Sequence, residues 1–203
     1  MKKFLMVTPQ LSEGMLEGKA YEPVDNSTLS YGPAHFPSIP LVAAHVEPGE
    51  EARIITVTYD IPDCHRNLEL LASELSDACK RKGATCSIDS IVVPFDDSIT
   101  AILNVFKQLI SRIKDGDELY ADITFGSKPM PIVLTIALQY ARRVRKGVFV
   151  ECVTYGQISH HLDSHEAKIF DVTALVQLDE LARMMADNNA NDPDRIISEL
   201  ISL

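Results

Sequence analysis

The chain has 203 residues and 22.5 kDa, the size of one ordinary domain with a short appendage. Hydrophobic residues make up 46% and charged residues 24%, which excludes a disordered or fibrous class. The formal charge of −10 argues against a protein that coats DNA or RNA, since such binding needs many phosphate-neutralising cations.

Strand-like apolar runs then alternate with segments of helical period. Phe4–Val7 reads as a first strand and Ala52–Tyr59, rich in β-branched residues, as a second. Leu68, Leu71, Leu75, Ala78 and Cys79 recur at helical spacing, and Gly83 supplies a stop. Cys86–Val93 reads as the third strand. Ile99, Ile102, Leu103, Phe106, Leu109 and Ile113 mark the apolar face of a helix opened by Asp96-Asp97-Ser98 and closed by Asp115-Gly116. Leu119–Phe125 is the fourth predicted strand, 132–144 a helix, and 147–155 the fifth strand. This rhythm predicts βαβ units: an α/β, Rossmann-like, mostly parallel sheet flanked by helices. Such a domain is expected over residues 1–173, with a helical extension over 174–203.

Two stretches break the alternation. Residues 10–36 form a long polar connection, of a length that in compact domains is functional or carries its own hairpin. The tail after Asp171 shows one helical pattern through Leu175, Leu178, Leu181 and Met185, then a break at 188–193 and a short last helix.

No apolar run approaches the roughly 18–20 residues of a membrane-spanning helix. The apolar part of the amino-terminal segment is shorter than a secretory h-region of roughly 7–15 residues. Cys64, Cys79, Cys86 and Cys152 show no C-x-x-C pair, so a reducing, cytoplasmic setting is expected.

In open parallel sheets, ligands bind beyond the carboxyl ends of the strands. Three such ends are polar here: Thr8-Pro9-Gln10, Thr124-Phe125-Gly126-Ser127-Lys128-Pro129 and Tyr155-Gly156-Gln157. In the second, Gly126 permits close backbone approach, Ser127 carries a hydroxyl, Lys128 a cation, and Pro129 and Pro131 suit an opening helical turn. A helix N-terminus beside a lysine is a natural phosphate seat. The alternative is a plain turn with Ser127 as the helix N-cap. Neither a Walker loop nor a dinucleotide G-x-G-x-x-G is present.

Other groups read as structural. His160-His161 with His165 and Glu166 reads as a solvated loop before a metal site, since no cysteine lies near. The cations from Arg142 to Lys146 close a helix, and Asp63 caps one. Cys64-His65 are chain neighbours that seldom face each other as nucleophile and base.

The stretch Asp122-Ile123-Thr124-Phe125-Gly126-Ser127-Lys128-Pro129-Met130 resembles the D-[IL]-T-x-G-x-K-x-M signature of CARF domains, the CRISPR-associated Rossmann-fold sensors of type III CRISPR immunity. The likeness covers roughly residues 3–185, including Lys168–Thr173 before a helix, although Thr8-Pro9-Gln10 departs from the glycine-rich G-T-S-P loop of many members. The resemblance implies a homodimer that binds cyclic oligoadenylate across its twofold axis, without a cofactor, a metal, a membrane or a long nucleic acid. Thr8, Gln10, Thr124, Gly126, Ser127, Lys128, Pro129, Met130 and Tyr155 are the expected ligand-binding residues. Tyr21, Tyr31, Phe36 and Tyr155 are aromatic candidates for the adenine faces, each otherwise a packing residue.

Three roles stay open under this resemblance: a stand-alone ring nuclease, a regulator working through a fused or separate effector, and one domain of a longer protein. Cleavage by a ribose 2′-hydroxyl would need no metal and would place Ser127 and Lys128 at the reacting phosphate. A generic nucleotide-processing Rossmann enzyme and a non-catalytic interaction protein with an acidic docking surface are the readings from other classes.

Overall fold

The computed structural model describes residues 1–158 and 166–201. It is a mixed α/β fold: a seven-stranded, mostly parallel sheet flanked by helices, in the strand order β2-β7-β6-β5-β1-β3-β4. The central strands are β1 (Lys2–Val7), β3 (Glu51–Tyr59), β4 (Thr85–Val93), β5 (Glu118–Asp122) and β6 (Phe149–Ile158). They pair in parallel, with Leu5 opposite Ile55 on one side and Ala121 on the other.

Alternation along β1 divides the core in two. Leu5 and Val7 face a layer built by α3 (Ile99–Arg112), α4 (Pro129–Val144) and α5 (Thr173–Asp187). Phe4 and Met6 face α1 (Ser38–His45) and α2 (Pro62–Arg81). The last helix, α6 (Pro193–Ile201), follows a left-handed Asn189.

Several elements differ from the sequence expectation. Helix α1 lies between the connection of residues 10–36 and the strand from Ala52, where no element was expected, because Ser38–Ala43 are all buried and a helix apolar all round has no stripe to reveal it. The connection of residues 10–36 is built into the fold rather than looped off it. Its β2 (Tyr21–Pro23) pairs with β7 (Ala167–Asp171), while Leu29, Ala34 and Phe36 fill the second core. Strand β7 in turn runs antiparallel to β6 and carries that strand on to Ile158, past the expected end at Tyr155.

Strand β5 stops at Asp122, short of Phe125, because the Asp122 carboxylate takes the N–H of Thr124 at 2.9 Å and turns the chain. Helix α4 starts three residues earlier than its apolar period, on Pro129. Asp63 lies in the first turn of α2, paired to Arg66 at 2.7 Å, and Ile61 occupies the N-cap instead. Arg143 reaches beyond helix capping to pair with Asp179 and Glu180 on α5. All four cysteines are free thiols, with Cys64, Cys79 and Cys152 buried. No helix among the described residues is long and apolar enough to cross a membrane.

Candidate functional site

The order of the strands reverses between β1 and β5, since β3 and β4 extend the sheet on one side of β1 and β5 and β6 on the other. The crevice at such a switch point is where open α/β sheets hold ligands. Two of the three polar strand ends, Thr8–Gln10 and Thr124–Lys128, meet there. Gly126 marks the meeting: a Cβ on it would lie 3.2 Å from Val7 and 2.7 Å from Met130. At φ +110° it also holds a backbone conformation that side chains disfavour. The third end adjoins them, because the Gly156 N–H donates to the Thr124 hydroxyl at 2.7 Å.

Each expected residue then takes a distinct place. Thr8 is fully buried, its hydroxyl 2.9 Å from those of Thr56 and Thr58. It anchors the loop from beneath. The loop itself is clamped by Asn67, whose amide donates to the carbonyls of Pro9 and Leu11, both at 2.9 Å. Gln10 keeps its side-chain oxygen away from solvent with no hydrogen-bond partner among the described residues. Thr124 is bound up in the turn, its hydroxyl donating to Asp122 and accepting from Gly156. Met130 is buried under the turn and Pro129 half-buried beside it.

Ser127 is not the N-cap of α4; Lys128 holds that position without a side-chain cap. The Ser127 hydroxyl instead donates to the Asp97 carboxylate at 2.6 Å and lies 2.8 Å from the Tyr59 hydroxyl. With its one proton donated to Asp97, the Ser127 hydroxyl accepts from Tyr59, whose phenol burial pushes up. The direction is therefore fixed: Tyr59 to Ser127 to Asp97. Lys128 is exposed, and its ammonium makes no ion pair or hydrogen bond among the described residues. The first turn of α4 offers fewer free amides than a helix start usually does. Pro129 and Pro131 have no N–H, and that of Met130 is spent on the Ser127 carbonyl at 2.8 Å. An anion here meets the Lys128 ammonium and the Gly126–Lys128 turn more than the helix end.

The aromatic candidates separate. Tyr155 is exposed beside Phe170, with ring centroids 6.3 Å apart. Tyr21 and Phe36 are buried in the second core. Tyr31 contacts Arg81 at the far end of α2, away from the site. Cys64 and His65 point apart: the thiol faces the carbonyls of Thr8 and Pro9, while the imidazole pairs with Asp60 at 2.8 Å. His160, His161 and His165 lie outside the described residues. Among those that are described, no group of three or more His, Cys, Asp or Glu side chains is placed to hold a metal ion.

Tyr59, read as a strand residue, and Asp97, read as part of a helix start, also stand at the site, with Asp122 bonded to Thr124 and Phe95 packed against Tyr59. Burial pushes the Asp122 carboxyl up to about 6, opposing the two bonds from Thr124 that favour its charged form. Its folded value thus exceeds the unfolded one near 4, so its contribution to stability is present at low pH and is lost as pH rises through about 6. Asn at this position keeps the acceptor without the charge. Relative to wild type, Asp122→Asn is expected to gain stability between pH 4 and 7, by a few kcal/mol at most. Urea unfolding of both proteins at the two pH values checks this, and a pH-independent difference would contradict it.

No protein-family model matches the chain. It is 26% identical, over 119 residues, to a protein of Methanocaldococcus jannaschii named CRISPR-associated protein MJ1674. The match takes in 59% of this chain and 18% of that protein's length, so it is a distant, partial similarity to a CRISPR-associated protein.

Proposed function

We propose that this chain is a CARF-type sensor of type III CRISPR immunity that binds a cyclic oligoadenylate across the twofold axis of a homodimer. One observation carries the reading: the D-I-T-F-G-S-K-P-M stretch lies at the switch point, with the Lys128 ammonium unpaired among the described residues. The distant similarity to a CRISPR-associated protein favours the same setting.

The dimer has support of its own. Ile99 and Leu103 on α3 and Ile132 and Ile136 on α4 are exposed and together line an apolar groove that begins at Pro129. Ile99 is 70% and Ile132 62% exposed, more than isolated surface residues of a monomer explain when they are contiguous. A second copy against this face would bring two Lys128 turns towards one axis, as a ring of repeated units requires.

The site also suits slow, metal-independent cleavage. The ribose 2′-hydroxyl would lose its proton to water and attack the adjacent 3′-phosphorus, and the bond to the 5′-oxygen would break as that oxygen takes a proton from water, giving a 2′,3′-cyclic phosphate and a 5′-hydroxyl. Lys128 would offset the growing charge, and Ser127, its proton committed to Asp97, would hold the Gly126–Lys128 turn in place beside the phosphate rather than donate to it.

Thermal unfolding with cyclic tri-, tetra- and hexa-adenylate, NAD(P) and ATP tests the reading. One oligoadenylate ring is expected to stabilise selectively, by about 2.7 kcal/mol at 100 times its Kd. Light scattering is expected to find twice 22.5 kDa. Stabilisation by NAD(P) or ATP alone points to a general nucleotide enzyme, and a monomer with and without a ring defeats the dimer.

A further inference from the structure

The loop between β4 and α3, residues 94–98, has no part in the motif yet reaches into the same crevice. Its Asp97 is tied to Ser127 at 2.6 Å, and only through one carboxylate oxygen. The neighbouring Asp96 is used up locally, capping Ser98 through both of its oxygens. Phe95 stands edge-on to Tyr59, 5.0 Å between centroids at 89°, and Tyr59 is itself bonded to Ser127. The Phe95 ring remains 57% exposed.

A carboxylate is an odd neighbour for a phosphate seat, because it repels the anion that Lys128 attracts. It is well suited to a different part of a nucleotide. A carboxylate has about four lone-pair positions and accepts strongly from an amino group, and an exposed ring offers a face to a base. We infer that the β4–α3 loop reads the base: Phe95 stacks on it and the free oxygen of Asp97 accepts from its exocyclic amine, while Lys128 holds the phosphate.

This inference rests on the proposed nucleotide site and adds a specificity to it. It assigns a preference for bases with an amino group on the exposed edge, adenine among them. The tie to Ser127 matters as well, since it holds Asp97 at a set distance from the phosphate turn and so couples the two contacts.

The probes are the ring of three, four or six adenylates that stabilises the wild type, and the same ring built from purine riboside, which lacks the 6-amino group. Calorimetry is expected to show the amine-free ring binding the wild type about tenfold more weakly. Asp97→Ala is expected to bind both rings equally, whatever its absolute affinity. Phe95→Leu is expected to weaken both by about tenfold and to keep the wild-type ratio. Both residues are exposed, so both variants are expected to fold. A wild type indifferent to the amine, or an unchanged ratio in Asp97→Ala, overturns the role of Asp97. Unchanged affinity in Phe95→Leu, or a change in oligomeric state alone, overturns the stacking. Failure of the wild type to bind any ring overturns the proposed function, and this inference with it.

Discussion

Replacing Lys128 by alanine is expected to lower affinity for cyclic oligoadenylate by roughly 10- to 150-fold per site, the equivalent of one charge-assisted contact of about 1.5–3 kcal/mol. The side chain is exposed and makes no hydrogen bond or ion pair among the described residues, so the variant is expected to unfold within about 0.5 kcal/mol of wild type. The prolines sharpen the expectation. With two N–H groups absent and a third spent on Ser127, the first turn of α4 has little left to replace the ammonium. Should the ring be cleaved, the single-turnover rate is expected to fall further than binding, because charge on the phosphate grows in the transition state. Calorimetry on the folded variant decides the matter, and wild-type affinity would remove Lys128 from the site.

Gly126→Ala is expected to act through the fold instead, with a loss of about 2–4 kcal/mol. Two effects add. The backbone at φ +110° is strained for any side chain, and the new Cβ would come within 2.7 Å of the Met130 Cβ and 3.2 Å of Val7. Met130 is buried and Val7 belongs to the central strand, so neither can swing aside. Gly32→Ala is the control, since a Cβ there meets nothing within 4 Å and its φ is ordinary. It is expected to change stability by less than about 0.5 kcal/mol. Urea midpoints for the two variants test the comparison; equal midpoints would mean that the turn relaxes at no cost. Because Gly126 packs between Val7 of β1 and Met130 at the start of α4, any loss is also expected to loosen the site.

The long, periodic elements were readable because burial imposes its period on the sequence. Ile102, Val105 and Leu109 line one side of α3, and β3 is β-branched from Ile54 to Thr58 and buried on both faces from Ile54 to Tyr59. Short and fully enclosed pieces were not. Helix α1 has no polar face, and β2 and β7 are strands chiefly because they pair with each other and with β6.

The same division runs through the site. Local chemistry in the sequence determined the turn: Gly126 for the left-handed backbone, prolines for the helix start, and polar residues at three strand ends, which the rule for parallel sheets assigns to one edge. Only the tertiary structure decided what those side chains do. Thr8 and Thr124 look like ligand contacts in sequence, yet their hydroxyls are consumed within the fold by Thr56, Thr58, Asp122 and Gly156. Asp97 looks like part of a helix cap, yet its carboxylate accepts from Ser127, thirty residues away, and Phe95, to which no sequence pattern gave a role, stands edge-on to the Tyr59 that bonds Ser127. A hydroxyl or a carboxylate carries no mark of its partner. Which donors remain free is settled by contacts between distant segments, and no local pattern encodes those contacts.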